Sequence, residues 1–156
     1  MISNDKFDFW IKNGLNVLIS GEKGVGKSHL VLDAFKRNKL KYLYFSGPTL
    51  DPFCDVVGIP YKTTDKDGNE YLDYIRPKAF ATDQVEAIFI DEVNRAHHKV
   101  RNALLEMIQF KSLNGHKFNN LKVVWAAINP PDSSRRYQVE ELDDAQWDRF
   151  QVHVTI

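Results

Sequence analysis

Five short apolar runs punctuate the chain, and stretches of helical period lie between them. Residues 15–20 carry Leu15, Val17, Leu18 and Ile19 and read as a first buried strand. Residues 41–46 are aromatic-rich and end at Gly47-Pro48. Residues 87–90 run straight into Asp91-Glu92, residues 123–128 stop at Asn129-Pro130-Pro131, and residues 151–156 form a fifth run. After the first strand, apolar positions 30, 31, 34 and 35 have the spacing of an amphipathic helix over 28–37. Val100, Ala103, Leu104, Met107 and Ile108 mark a second core-facing helix between the third and fourth strands. Phe7, Trp10 and Ile11, spaced i, i+3 and i+4, mark a short N-terminal helix packed on the sheet. Strands alternating with helices predict an α/β fold, a three-layer sandwich around a parallel sheet.

Two segments break this rhythm. Residues 48–85 read as long and irregular, with a turn signal at Asp67-Gly68-Asn69 flanked by Tyr61 and Tyr71-Leu72-Asp73-Tyr74. Residues 110–118 read as a hairpin, because Asn114-Gly115 is the favoured type I′ pair. Insertions of this kind either carry binding or decorate the surface.

The turn between the first strand and its helix changes the picture. Gly21-Glu22-Lys23-Gly24-Val25-Gly26-Lys27-Ser28 is a complete G-x-x-x-x-G-K-S phosphate loop, followed by His29, in the strand–loop–helix context that the motif requires. Glycines let successive backbone N–H groups curl around an anion, and the helix N-terminus adds partial positive charge. Lys27 is expected to reach the terminal phosphates and Ser28 to ligate Mg²⁺. The expected ligand is a nucleoside triphosphate.

Other candidates stand at the carboxyl ends of neighbouring strands, where open α/β sheets bind ligands. Asp91 is the expected Mg²⁺ partner, and Glu92 can polarise an attacking water. Asn129 can hold that water or the terminal phosphate without adding charge; its alternative is an ordinary Asn-Pro turn. Arg149, just before the fifth strand, suits a role in trans at a neighbouring subunit's site. Its alternative is a salt bridge to Asp148 or to the acidic runs Glu140-Glu141 and Asp143-Asp144. His97-His98 read as surface residues, since neighbours on a helix diverge and do not chelate together.

Composition narrows the setting. The length of 156 residues suits one domain, and 21 basic residues balance 21 acidic ones, so no global field draws nucleic acid or an anionic membrane. A local basic surface stays open. A single cysteine, Cys54, excludes an internal disulfide, and no Cys/His spacing suggests zinc. No apolar run approaches the roughly 20 residues of a membrane span, and the first residues lack a signal-peptide pattern. The expectation is a soluble, cytoplasmic protein.

Taken together, these motifs resemble AAA+ ATPases of the MoxR-like and dynein-related group over essentially the whole chain. Asp91-Glu92-Val93-Asn94-Arg95-Ala96, followed by residues 99–106, carries the likeness most distinctively. Residues 142–150 are similar to the family's arginine-finger segment, and residues 49–53 with 57–60 to the stretch after its second strand. The resemblance implies Lys27 and Ser28 as Walker A, Asp91 and Glu92 as Walker B, Asn129 as sensor 1 and Arg149 as the finger. It implies a five-stranded sheet of order 5-1-4-3-2, a helix-2 insertion within 48–85 and a pre-sensor hairpin at Asn114-Gly115. It also implies ATP and Mg²⁺ as cofactors, a ring, hexameric in relatives, and chaperone-like remodelling. Partners would be a von Willebrand A-type protein or a separate lid chain. Residues 1–156 would be a single nucleotide-binding core without the helical lid of relatives, and so weakly active alone. The rival readings are a nucleotide-gated binding module without hydrolysis, a GTP-preferring relative acting in DNA restriction, and a small P-loop kinase. For a kinase lid, Arg135-Arg136 is the candidate pair.

Overall fold

The computed structural model describes residues 2–130 and 142–156. Its main elements are α1 Asn4–Lys12, β1 Val17–Ser20, α2 Lys27–Arg37, β2 Tyr42–Ser46, β3 Ile59–Thr64, β4 Glu70–Ile75, α3 Lys78–Ala81 and β5 Ala87–Asp91. These are followed by α4 His98–Phe110, β6 Ser112–Leu113, β7 His116–Lys117, β8 Val123–Ile128, α5 Asp144–Trp147 and β9 Val152–Thr155. The Arg135-Arg136 and Glu140-Glu141 pairs lie outside the described residues.

Period-two alternation along the strands sorts the core into two layers. Val17, Ile19, Ala87, Phe89, Val123, Trp125 and Ala127 face α1 and α2, packing on Phe7, Ile11, Val31, Ala34 and Phe35. Leu18, Ile88, Ile90, Val124, Ala126 and Ile128 face the other way, onto Val100, Ala103, Leu104, Met107 and Ile108 of α4. The sheet is parallel, in the order β2-β5-β8-β1-β9. Numbering its five parallel strands alone, that order reads 5-1-4-3-2 from the β9 edge. All five carboxyl ends therefore share one edge, and β1, β8 and β5 are central. Among the described residues no helix is long and apolar enough to cross a membrane.

Asn16 ties three strands together at the opposite edge. It is buried; its side-chain oxygen accepts from Val124 N–H at 2.8 Å, and its own N–H donates to Gln151 Oε1 at 2.7 Å. Its carbonyl accepts from Val152 N–H at 3.2 Å. Replacing Asn16 with leucine strips the Val124 N–H of its acceptor in the core. We expect a loss of about 2 kcal/mol, within the usual cost of an orphaned buried donor, measured by urea denaturation.

Residues 48–85 are more ordered than their sequence suggests. A π-helical turn, Pro52–Val57, is capped by Asp51, whose side chain accepts from Phe53 and Cys54 N–H. An antiparallel hairpin then pairs β3 with β4 over six positions, from Ile59↔Ile75 to Thr64↔Glu70. The Asp65 side chain closes its turn, accepting from the N–H groups of Asp67 and Asn69, each at 2.9 Å. Both faces of this hairpin are largely exposed, so neither strand has the apolar alternation that signals β structure. The Asn114-Gly115 hairpin forms as expected, with both residues at positive φ (48° and 75°), as a type I′ turn demands.

Candidate functional site

β1 delivers the chain to Gly21, whose N–H donates to the Ile128 carbonyl at 3.3 Å, so the loop starts in register with the end of β8. Gly24 and Gly26 both have φ of 89°, the left-handed region that side chains disfavour, and both face open space. α2 begins directly after Gly26, so the unpaired N–H groups of its first turn open toward the loop. Glu22, Lys23, Gly24, Val25 and Gly26 are all exposed along the loop. His29 stands apart from it: its exposed imidazole lies 3.2 Å from Asp33, one turn further along the helix.

Lys27 folds back under the loop. Its ammonium donates to the Gly21 carbonyl (2.7 Å), the Glu22 carbonyl (2.9 Å) and Asn129 Oδ1 (2.7 Å). Only 5% of the residue is exposed. Burial lowers its pKa below the ordinary lysine value, while Asp91 and Glu92 pull it back up. Ser28, next in the helix, donates its hydroxyl to Asp91 Oδ2. The other Asp91 oxygen accepts the Glu92 N–H at 3.0 Å. Tyr44, on β2, shares this environment; burial first, then Asp91 and Glu92, push its phenol pKa up.

The chain turns sharply after β5. Glu92 has φ of 51°, left-handed for a residue with a side chain, and leads into a 3-10 turn at Val93–Arg95. The end of β2 presses on this turn. A Cβ on Gly47 would lie 2.3 Å from the Glu92 carbonyl oxygen, so only glycine fits there. Glu92 accepts from Asn129 Nδ2 at 3.0 Å through Oε1, and from Arg95 Nη1 at 2.7 Å through Oε2. Asn129 thus spans the site, its amide oxygen on Lys27 and its amide nitrogen on Glu92. That orientation is dictated by chemistry, since an ammonium only donates and a carboxylate only accepts. Asn94 Nδ2 donates to the Asn129 carbonyl at 3.2 Å, while the buried Asn94 Oδ1 has no hydrogen-bond partner among the described residues.

Lys27, Ser28, Asp91, Glu92 and Asn129 are therefore joined in one hydrogen-bonded set. Asn94 and Arg95 belong to it as well; the sequence marked them as part of the segment that carries the family resemblance, but gave neither a role. The donor set at Ser28 and Asp91 is all oxygen, which fits a hard divalent cation such as Mg²⁺.

A family model described as "ATPase family associated with various cellular activities (AAA)" matches residues 16–152. The chain belongs to the AAA ATPase family. The match runs from the start of the first strand into the last, and so includes every residue of the hydrogen-bonded set. The same architecture recurs in a crystal structure from Cytophaga hutchinsonii described as a "putative ATPase", with 27% identity and a TM-score of 0.64. The alignment covers 98% of this chain and 44% of that one, so this chain spans less than half of that protein's length. No curated protein matches. AAA ATPases bind nucleotide, usually with Mg²⁺, and generally assemble into rings.

Arg149 is not part of the set. It sits in the turn between α5 and β9, before the amino end of the edge strand, whereas the loop and acids lie at the carboxyl ends. A four-residue strand separates the two edges by roughly 13 Å. No ion pair engages Arg149 among the described residues, so the salt bridge to Asp148 or Asp143-Asp144 does not form. Its turn is nonetheless firmly built. Asp143 and Gln146 form a reciprocal capping box on α5, Phe150 is buried, and His153 Nε2 lies 3.0 Å from the carbonyls of Trp147 and Phe150. His97 and His98 depart from the expected divergence, their ring centroids being 4.2 Å apart. His97 precedes α4 as its N-cap, accepting the Lys99 N–H at 3.2 Å, and so escapes helical geometry. No group of three or more metal-binding side chains occurs among the described residues.

Proposed function

We propose that this AAA domain is a MoxR-like module that hydrolyses ATP to ADP and phosphate at the subunit interfaces of a ring, to drive remodelling of a partner protein. The observation that carries the hydrolytic reading is the Asn129 amide, which joins the loop lysine to a carboxylate positioned beyond the metal-binding acid. Residues 1–156 form its nucleotide-binding core. The loop amides and the Lys27 ammonium bind the phosphates of ATP, and Ser28 and Asp91 hold Mg²⁺. When bound, Mg²⁺ neutralises phosphate charge. Glu92 orients a water and takes its proton as the water oxygen attacks the terminal phosphorus; the bond to the bridging oxygen breaks and ADP leaves. Asn129, having one donor and one acceptor, exchanges its contact on Lys27 for contact with the terminal phosphate or the water. Arg149 neutralises the developing charge from the adjacent subunit, because its own site lies at the opposite edge of the sheet.

The test is complementation. Neither a Lys27→Ala nor an Arg149→Ala assembly should release phosphate at the unsubstituted rate. Mixed assemblies should recover part of that rate, since some interfaces pair an intact loop with an intact arginine. Absence of recovery, with assembly verified by chromatographic mass, removes the role in trans. Running ATP and GTP in parallel decides the base preference, because the roles assigned to these residues concern the phosphates, the metal and the water, and none concerns the base.

A further inference from the structure

Glu92 is gripped from two sides, and only one of the two grips belongs to the residues assigned above. Asn129 holds Oε1, and the Arg95 guanidinium holds Oε2 at 2.7 Å. Arg95 stands three residues on, in the 3-10 turn that starts from the left-handed Glu92 backbone. We infer that Arg95 is a positioning residue, which with Asn129 fixes the Glu92 carboxylate for its work on water. The inference rests on the hydrolytic reading of this site.

Three observations favour positioning over simple stabilisation. The pair is partly open to solvent, the Arg95 and Glu92 side chains being 37% and 20% exposed, and ion pairs of that kind contribute at most about 1 kcal/mol to folding. The left-handed backbone at Glu92 and the close approach of Gly47 fix where the side chain starts, but leave its outer torsions free. The two donors remove that freedom, and they approach different oxygens, so the carboxylate plane is set as well as its place. A carboxylate loosened by about 1 Å can lose on the order of a hundredfold in rate while binding is untouched.

The experiment is a double-mutant cycle on phosphate release, with ATP affinity measured by calorimetry and folding by thermal melting. Arg95→Ala should lower kcat about tenfold, leaving KM, ATP affinity and the melting midpoint close to those of the unsubstituted protein. Arg95→Lys should recover part of the loss, because an ammonium can still meet Oε2 but without the planar fork. In a Glu92→Gln background the same Arg95→Ala change should cost almost nothing further, since there is no carboxylate left to position. Equal losses in both backgrounds, or a fall in melting midpoint that tracks the rate, would make Arg95 structural and overturn the inference. An unchanged or raised kcat in Arg95→Ala would overturn it too. Failure of the unsubstituted protein to bind ATP or to release phosphate removes the ATPase reading itself, and is distinct from a working enzyme indifferent to Arg95.

Discussion

Lys27→Ala should abolish nucleotide binding at concentrations that saturate the unsubstituted protein. The ammonium is buried and already aimed into the loop by two backbone carbonyls and Asn129. A polyphosphate approaching the loop amides meets it as a fixed positive charge. Charge-assisted hydrogen bonds contribute about 1.5–3 kcal/mol each, so losing two of them weakens binding by roughly 10²- to 10⁴-fold. Calorimetry with Mg-ATP reads this directly, and an affinity within tenfold of the unsubstituted protein would refute the assignment. Lys27→Arg should lose nearly as much, because a planar guanidinium does not fit a cradle shaped around a tetrahedral ammonium. Folding should suffer little, since the substitution also removes a desolvated charge. The pH dependence has a definite sign. Burial lowers the Lys27 pKa, so the charged form that binds phosphate is lost as pH rises, with a midpoint below the ordinary 10.5. Bound phosphate favours the ammonium, so binding near that midpoint takes up protons.

What the sequence made legible follows from how local each feature is. The phosphate loop is contiguous, and its glycines at φ of 89° do locally what the motif needs, so eight residues announced it. Asp91 and Asn129 could be placed because each directly follows an apolar strand, and parallel strands share one carboxyl edge. The role of Arg95 was hidden, since its significance depends on Asn129 arriving from a strand 34 residues later in the chain to take the other Glu92 oxygen. Asn94 was hidden for the same reason. The β3–β4 hairpin escaped because its strands expose both faces, with Tyr71, Leu72 and Ile75 all open to solvent. Without a buried face, no alternation is required and none is written. The short helix α5 went unread because its apolar pattern is too brief; its start is fixed by the Asp143–Gln146 capping box that the structure shows.

Glu92→Gln should separate binding from chemistry. Glutamine keeps the shape of the side chain, and its amide oxygen can still accept from Asn129 Nδ2, so the link from Asn129 to Lys27 survives. The phosphate-binding elements are then intact, and ATP affinity should stay within a few-fold of the unsubstituted value. The loss is the negative charge. An amide is no base at neutral pH, and its nitrogen must now face either Arg95, donor against donor, or the water it should deprotonate. General-base contributions run from about 10² to 10⁴ in rate, so phosphate release should fall by at least a hundredfold at saturating Mg-ATP. Turnover within a few-fold of the unsubstituted rate would transfer the water-activating role elsewhere, with Asp91 the next carboxylate to examine. Loss of binding in parallel with turnover would mean that Glu92 shapes the nucleotide site itself, through Asn129, rather than acting on the water.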